Sequence, residues 1–559
     1  MKRWVVHPSL HEAGLLASEF GLHPLVASLL LRRGFQDPLK ISRFLRPSAE
    51  FLKDPLGDPE MVRAAGRIRQ AISRHEPILI YGDYDVDGIT GSAILYLVLK
   101  KMGVEAKVHI PDRFKEGYGL KQETLERIAK GRCSLVITVD NGIRALGEVD
   151  FLRGAGIDAI VVDHHEPADK LPEALALVRG KAGEEDACLA ACGLAFKLGW
   201  ALLGNFRDVQ EHLDLVVLGT VADVAPVTGE NRALLAEGLP ALMKTRKAGL
   251  RMLMEAASLA HREISYRDVA FYLAPRLNAA GRMGSALDAF KLLVTDNREE
   301  ARDLARRLEE ANRLRQRMEA AAFQEAKERI EKDEAYGKAS VLVVESSGWH
   351  EGVTGILAAR LVERFQKPAV VIALNGAIGK GSGRSTASLS LLKCVLECED
   401  LLESAGGHAK ACGLTIREEN IPLFRERLDR SVRGTSSDLF LTVEAEGEVS
   451  FSDFQGSFLQ DLGRLGPFGP GNPRPLFLTR GVRCKSGFTR KGRNAFQCWV
   501  TDGARRFTFQ AIGWEKRRQG LKRAKLDPDK LLDIVHHPVL GREEGVPFVE
   551  LHVEDWREV

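Results

Sequence analysis

The sequence predicts a multidomain α/β protein: a parallel-sheet domain, a second α/β domain across a long helix, and a β-rich C-terminal region. Three observations predict it. From Ile78 onward, short β-branched or Leu-rich runs alternate with helical stretches, a pattern of parallel sheets covered on both faces. Residues 297–335 contain no Gly or Pro and are rich in strong helix formers. After about residue 435 short strands take over, with turns expected at Gly487, Gly492 and Gly503.

At ~100–200 residues per domain, 559 residues leave room for three or four domains. The expected boundaries are a helical N-terminal segment at 1–75, a catalytic domain at 76–296, a connecting helix at 297–335, an α/β domain at 336–435 and a β-rich domain at 436–559. Hydrophobic content of 45% and charged content of 28% are ordinary for a water-soluble chain. A net charge of +3 means that any nucleic-acid binding must come from a local patch. No apolar run approaches the ~20 residues of a membrane span, and Met1 to Leu10 holds no long apolar core of a signal peptide. Eight scattered cysteines fit a reducing cytoplasm. Cys188/Cys192 and Cys394/Cys398 have helical spacing; zinc held by Cys394, Cys398, His408 and Cys412 would lack the usual closely spaced ligand pairs, so buried thiols are expected.

The chain is organised around ILIYGDYDVDGITG, residues 78–91. Ile78–Ile80 reads as a buried strand and Ser92–Lys100 as a helix, with Asp83, Asp85 and Asp87 crowded between them. Such carboxylates repel one another unless a cation neutralises them. A calcium loop of the EF-hand kind is excluded, because its twelfth position needs Glu and here holds Ile94. Further strands are expected at Ala106–Ile110, Leu135–Val139 and Ala159–Val162, the last two followed by Asp140 and by Asp163, His164 and His165. The apolar run Leu215–Leu218, leading to Asp223, reads as a fourth polar strand end. A mixed Asp/His set without thiolate suits Mn²⁺ or Mg²⁺, and two such ions suit phosphodiester hydrolysis. Asp163 is also placed to orient a neighbouring imidazole.

In the second α/β region, strands are expected at Val341–Val344 and Ala369–Leu374, a helix at Val353–Phe365, and a glycine turn over Gly379–Ser385. A terminal phosphate carries more charge than an internal one, so clustered Arg and hydroxyl donors can select it. The candidates are Arg113, Arg276, Arg282, Ser382 and Arg384, with Asn278 between Arg276 and Arg282. Glycines around Ser382 would let backbone N–H groups approach an anion. In the C-terminal region, Arg480, Arg483, Lys485, Arg490, Lys491 and Arg493 interleave with Phe488, Phe496, Trp499, Phe507, Phe509 and Trp514. That mixture matches a single-strand groove of the OB type, with about half of the aromatics in the core.

GDYDVDGITG, TVDNG, DHHEP and GTVADVAP resemble the four motifs of the DHH phosphoesterase superfamily. Gly406-Gly407-His408 resembles the signature of its associated domain. PDRFKEGYGL, LAPRLNAAGRMG, GWHEGVTGILAARL, GKGSGRS, AGGHAKACGL and LGPFGPGNPRP resemble the superfamily's single-strand-specific 5′→3′ DNA exonucleases, from about residue 20 to the C-terminus. The resemblance implies a DHH-type parallel-sheet catalytic domain, a DHH-associated α/β domain across a long helix and a C-terminal OB-like domain. It implies two Mn²⁺ or Mg²⁺ ions on Asp83, Asp85, Asp87, Asp140, His164 and Asp223, with His165 facing substrate or water. It places Arg113, Ser382 and Arg384 at the 5′ end and His408 near the scissile bond. Single-stranded DNA is the implied substrate, a single-strand-binding protein and a helicase the implied partners, and a monomer the expected state. Two rivals stand beside it: a pyrophosphatase, or a phosphodiesterase for short oligoribonucleotides or cyclic dinucleotides, on the same core, and a scaffold that binds without cleaving.

Overall fold

The computed structural model describes residues 3–180, 189–386, 389–435, 442–454, 456–485, 489–491, 495–502, 508–514, 531–543 and 546–559. Cys188, Gly487, Phe488, Gly492, Arg493, Gly503 and Phe507 lie outside the described residues, as do the side chains of Arg490, Lys491, Phe496 and Trp514. The chain forms two compact units, one of residues 53–225 and 234–438, the other of residues 1–52, 226–233 and 439–559.

In the first unit, β1 (Ile78–Tyr81) leads into helix α1 (Val86–Lys101). Strands β2 (Lys107–His109), β3 (Leu135–Val139), β4 (Asp158–Val162) and β5 (Ala176–Val178) complete a parallel sheet of order β2-β1-β3-β4-β5. Ile78 pairs with Leu135, and Leu135 with Asp158. β1 and β3 are buried throughout, which is why they read as unbroken apolar runs. Connections leave β1 toward β2 and return on its other side to β3, so the carboxyl ends of β1 and β3 flank a topological switch point, where open α/β sheets bind ligands.

α1 is buried nearly all round, between the sheet, α2 (Ala191–Leu203) and α3 (Leu213–Ala222). α3 corrects one expectation. Leu213–Ala222 is a helix, so Asp223 sits at a helix C-terminus and not at a strand end. Residues 213–221 are buried on every side, and an apolar run without polar interruptions carries no period to separate helix from strand.

After α4 (Ala274–Met283), helix α5 (Arg298–Lys332) runs 35 residues, about 50 Å. The Asn297 side chain caps it by accepting from the N–H groups of Glu299 and Glu300. Near its C-terminal end, Ala322, Ala326 and Ile330 join the core of the second sheet.

That sheet holds β6 (Leu342–Ser346), β7 (Ala369–Asn375), β8 (Ile378–Arg384), β9 (Leu402–His408) and β10 (Ala411–Arg417), in the order β9-β10-β8-β7-β6, with α6 (Glu351–Phe365) packed on β7 and β8. β8 is the second correction: GKGSGR is an interior strand, not an anion-binding turn. A Cβ on Gly379, Gly381 or Gly383 would lie 2.5, 2.7 and 2.5 Å from Ile372, Leu414 and Cys412. The glycines let apolar neighbours close over one face, while Ser382 and Arg384 occupy the other. Cys394, Cys398 and Cys412 are buried thiols in this core.

In the second unit, Arg3–Val6 pairs in parallel with Thr442–Ala445. Phe477–Cys484, Leu531–Glu543, Val546–Glu558, Thr508–Trp514 and Ala495–Thr501 pair in that order, and the last returns to the first through Cys484 and Val500. The ring is a closed five-stranded barrel of the OB type. Leu16, Val26, Leu30 and Ile41 share one apolar cluster with Phe458, Leu462, Phe477 and Ile534. Phe509 packs edge-on against Phe451 and Phe454 in this core, whereas Trp499 is 48% exposed. No single helix among the described residues is long and apolar enough to cross a membrane.

Candidate active site

Four backbone devices gather the carboxylates. Asp83 follows β1 and is 2% exposed; Gly88 packs so closely that a Cβ there would lie 2.6 Å from the Asp83 nitrogen. Asp85 caps α1, its Oδ1 accepting from the N–H groups of Asp87 and Gly88 at 3.0 and 3.1 Å. Asp87 accepts from the N–H groups of Ala191 and Cys192 at 2.7 and 2.9 Å, at the N-terminus of α2, where the helix dipole favours negative charge. Asp140 follows β3 with φ 64°, a left-handed conformation that Asp tolerates better than most residues. Its N–H donates to Val162, and the Thr138 hydroxyl donates to the Asn141 carbonyl, which locks the turn.

The side chains converge. His164 Nε2 lies 3.3 Å from Asp140, 3.7 Å from Asp87 and 3.8 Å from Asp223. Ligand atoms of Asp83, Asp85 and Asp140 lie within 4.8 Å of one another, as do those of Asp87, His164 and Asp223, and those of Asp140, His164 and His165. Asp83 Oδ1, Asp140 Oδ1 and His164 Nε2 are buried and have no hydrogen-bond partner among the described residues. Burial, followed by the charges of neighbouring aspartates, pushes Asp83 and Asp140 well above the usual carboxylate range. Burial and the charges of Asp87 and Asp85 push Asp223 up to about 8. Orphaned buried donor atoms amid mutually repelling carboxylates fit divalent cations, and the oxygen–nitrogen set fits Mn²⁺ or Mg²⁺.

Asp163 stands apart from these groups. Its Oδ2 accepts from the Ile143 N–H, and its Oδ1 lies 2.7 Å from His165 Nδ1. Burial alone would raise Asp163, but His165's hydrogen bond and charge outweigh it and hold it low; the same contact holds His165 high against burial. The Tyr118 hydroxyl donates to the Asp140 carbonyl at 3.2 Å and lies 3.4 Å from His165 Nδ1.

Asp83, Asp85, Asp87 and Asp223 share a cavity of about 440 Å³ with Arg113, Asn278, Arg282, Arg384 and His408. Burial and the charges of Arg113, Arg315 and Arg384 bring Arg282 down to about 10. Among the described residues, Arg113, Arg282 and Arg384 form no ion pair with a carboxylate, so this wall of the cavity favours an anion. Arg113 lies 5.0 Å from the Tyr84 ring centre, and Gly355 of α6 leaves room for Arg384, whose Nη2 would be 3.1 Å from a Cβ there. Ser382 shares Arg384's face of β8 and lies 3.0 Å from the Thr354 hydroxyl. Arg276 is not brought to the cavity: Glu309 and the Tyr272 carbonyl hold its guanidinium. Sequence reasoning missed Tyr84 and Tyr118. A signal existed for Tyr118, which stands between Gly117 and Gly119, both in left-handed conformations that let the loop bend around it.

Three family models match: "DHH family, N-terminal domain" at residues 77–220, "DHHA1 domain" at 338–434 and "RecJ OB domain" at 445–555. A Bacillus subtilis protein named single-stranded-DNA-specific exonuclease RecJ is 38% identical over 85% of this chain, and the chain spans 61% of its length. The protein of that name from Dickeya dadantii is 35% identical, covering 82% of this chain and 83% of its own. The crystal structure of RecJ with Mn²⁺ from Thermus thermophilus superposes with a TM-score of 0.83 at 30% identity, covering 99% of this chain and 79% of that one. By these matches and the site they enclose, the chain belongs to the RecJ family.

Proposed function

We propose that the chain is a metal-dependent exonuclease that hydrolyses single-stranded DNA from its 5′ end and releases mononucleotides. One observation carries the reading: a single cavity is lined both by carboxylates and by the guanidiniums of Arg113, Arg282 and Arg384, none of which forms an ion pair with a carboxylate among the described residues. The names of the relatives and the Mn²⁺ and Mg²⁺ RecJ structures support it.

Asp83, Asp85 and Asp140 would hold one ion and Asp87, His164 and Asp223 a second, with Asp140 adjoining both groups. Ions bound there activate water and stabilise charge on a phosphate. The chain's own residues do the rest. The arginines bind the terminal phosphate and so set which end enters. Asp163 accepts the Nδ1 proton of His165 and favours the protonated ring, whose Nε2–H can then donate to a phosphate oxygen in the cavity. Action as a cytoplasmic monomer beside a single-strand-binding protein and a helicase rests on the family resemblance.

The test offers Mn²⁺ and a strand with a 5′ phosphate, labelled at either end, single or duplexed. Release of the 5′ label first, as a mononucleotide and from the single strand only, is expected. Loss of the 3′ label first, or hydrolysis of dinucleotides alone, would overturn the reading.

A further inference from the structure

The cavity-lining helix α4 is preceded by a feature that the site does not use. Residues Val269–Leu273 form a single π-helical turn, and Pro275 has no N–H to offer the Phe271 carbonyl four residues back. Such wide turns are rare and cluster at functional sites. This one turns two aromatic rings into solvent: Phe271 is 68% exposed and Tyr272 44%. A lone exposed aromatic needs no explanation. Here two neighbours each have a guanidinium over the ring, Arg267 at 5.6 Å from Phe271 and Arg262 at 6.0 Å from Tyr272. The arrangement is held in place. Asp268 binds Arg262 and forms a reciprocal cap with Ser265, while Arg276, anchored on Glu309, donates to the Tyr272 carbonyl.

Helix geometry links this surface to the cavity. Phe271, Asn278 and Arg282 stand seven and then four residues apart, on one face of the continuous helical run. Phe271 lies about 10 Å beyond Asn278 along that face. Exposed rings flanked by arginines are what a single strand without sequence preference needs: π-faces for bases and cations for the phosphates between them.

We propose that Phe271 and Tyr272 form a base-stacking platform for the substrate strand outside the catalytic cavity, with Arg262 and Arg267 facing its phosphates. The proposal rests on the nucleic-acid substrate proposed above. Arg276 then serves as the platform's anchor and not as a reader of the strand end.

The test is equilibrium binding of the full chain to dT20 in EDTA, where no cleavage occurs, with thermal melting to verify the fold. Phe271→Ala/Tyr272→Ala should weaken dT20 binding at least about fivefold, the lower end of what stacking one base contributes. Phe271→Trp/Tyr272→Trp should keep wild-type affinity. An abasic strand of the same length should bind the wild type and the alanine variant alike, because it has no bases to stack. Equal dT20 affinity in a folded alanine variant would overturn the platform, as would an equal loss on the abasic strand. Wild-type chain that binds dT20 but cleaves no strand with Mn²⁺ would overturn the exonuclease reading and leave the platform standing.

Discussion

Asp163 holds His165 and leaves His164 alone: its Oδ1 lies 2.7 Å from His165 Nδ1, while His164 Nε2 faces Asp140 at 3.3 Å. The two adjacent imidazoles are thereby divided between tasks. Asp163→Asn would set an amide against the Nδ1 proton and release the ring. The kcat should fall about 10- to 100-fold, the usual loss when an orienting partner is removed. Mn²⁺ affinity, measured by calorimetry, should stay within about threefold of wild type. A parallel collapse of affinity would make Asp163 a ligand itself.

Gly219 on α3 gives a second test. A Cβ there would lie 2.8 Å from Asp87 Oδ1, 2.5 Å from Cys192 Sγ and 2.4 Å from Thr90 Oγ1. Gly219→Ala must displace Asp87 from the first turn of α2, and overpacking of this kind costs about 1–3 kcal/mol. Thermal melting should show that cost, and Mn²⁺ binding should weaken more than tenfold. Unchanged Mn²⁺ affinity would remove Asp87 from the ligand set.

Much of the site is legible in the chain because buried parallel strands are continuous apolar runs and their ends are polar. Ile78–Tyr81 and Leu135–Val139 stand out in this way, and Asp83 and Asp140 follow them. Where the sequence misleads, the reason is local. Leu213–Ala222 is buried on all sides and so has no period. Gly379, Gly381 and Gly383 look like a turn because a glycine's use for close packing depends on neighbours far along the chain, such as Leu414. Arg276 and Arg282 belong to one motif, and only the fold separates the one bound by Glu309 from the one in the cavity. The apolar faces of residues 13–45 could be seen, but amphipathic helices do not name the surface they cover.

Arg384 should read the strand end. Arg384→Ala should reduce the preference for a 5′ phosphate over a 5′ hydroxyl about 10- to 150-fold, since one charge-assisted contact contributes about 1.5–3 kcal/mol. The measurement is kcat/KM on both end types. An unchanged ratio would assign end recognition to Arg113 and Arg282.

The barrel should respond to acid through His536. The Thr479 hydroxyl donates to the Val449 carbonyl, so His536 Nε2 must donate to Thr479, which leaves Nδ1 buried and unpartnered. Burial, helped by His537, depresses His536 to about 3. The unfolded chain takes up this proton near pH 6.5 and the folded one does not until about 3. Stability is therefore full above pH 6.5 and declines as pH falls through that window, by up to about 1.4 kcal/mol per pH unit from this group. His536→Phe should flatten the dependence of urea midpoint on pH between about 6.5 and 4. An identical slope would place the linkage elsewhere.

The closed barrel and residues 1–52 share one apolar cluster, yet more than 380 residues of chain separate Leu52 from Leu439. On a ribosome adding ~5–20 residues per second, that interval lasts on the order of 20 to 80 s. All of residues 53–225 and 234–438 are made within it, so that unit can be complete while Leu16, Val26 and Ile41 still lack their partners. The opening helices are thus an early sticky segment awaiting a late one. Nascent chains arrested between residues 52 and 439 should bind chaperones through residues 13–45, and full-length chains should release them.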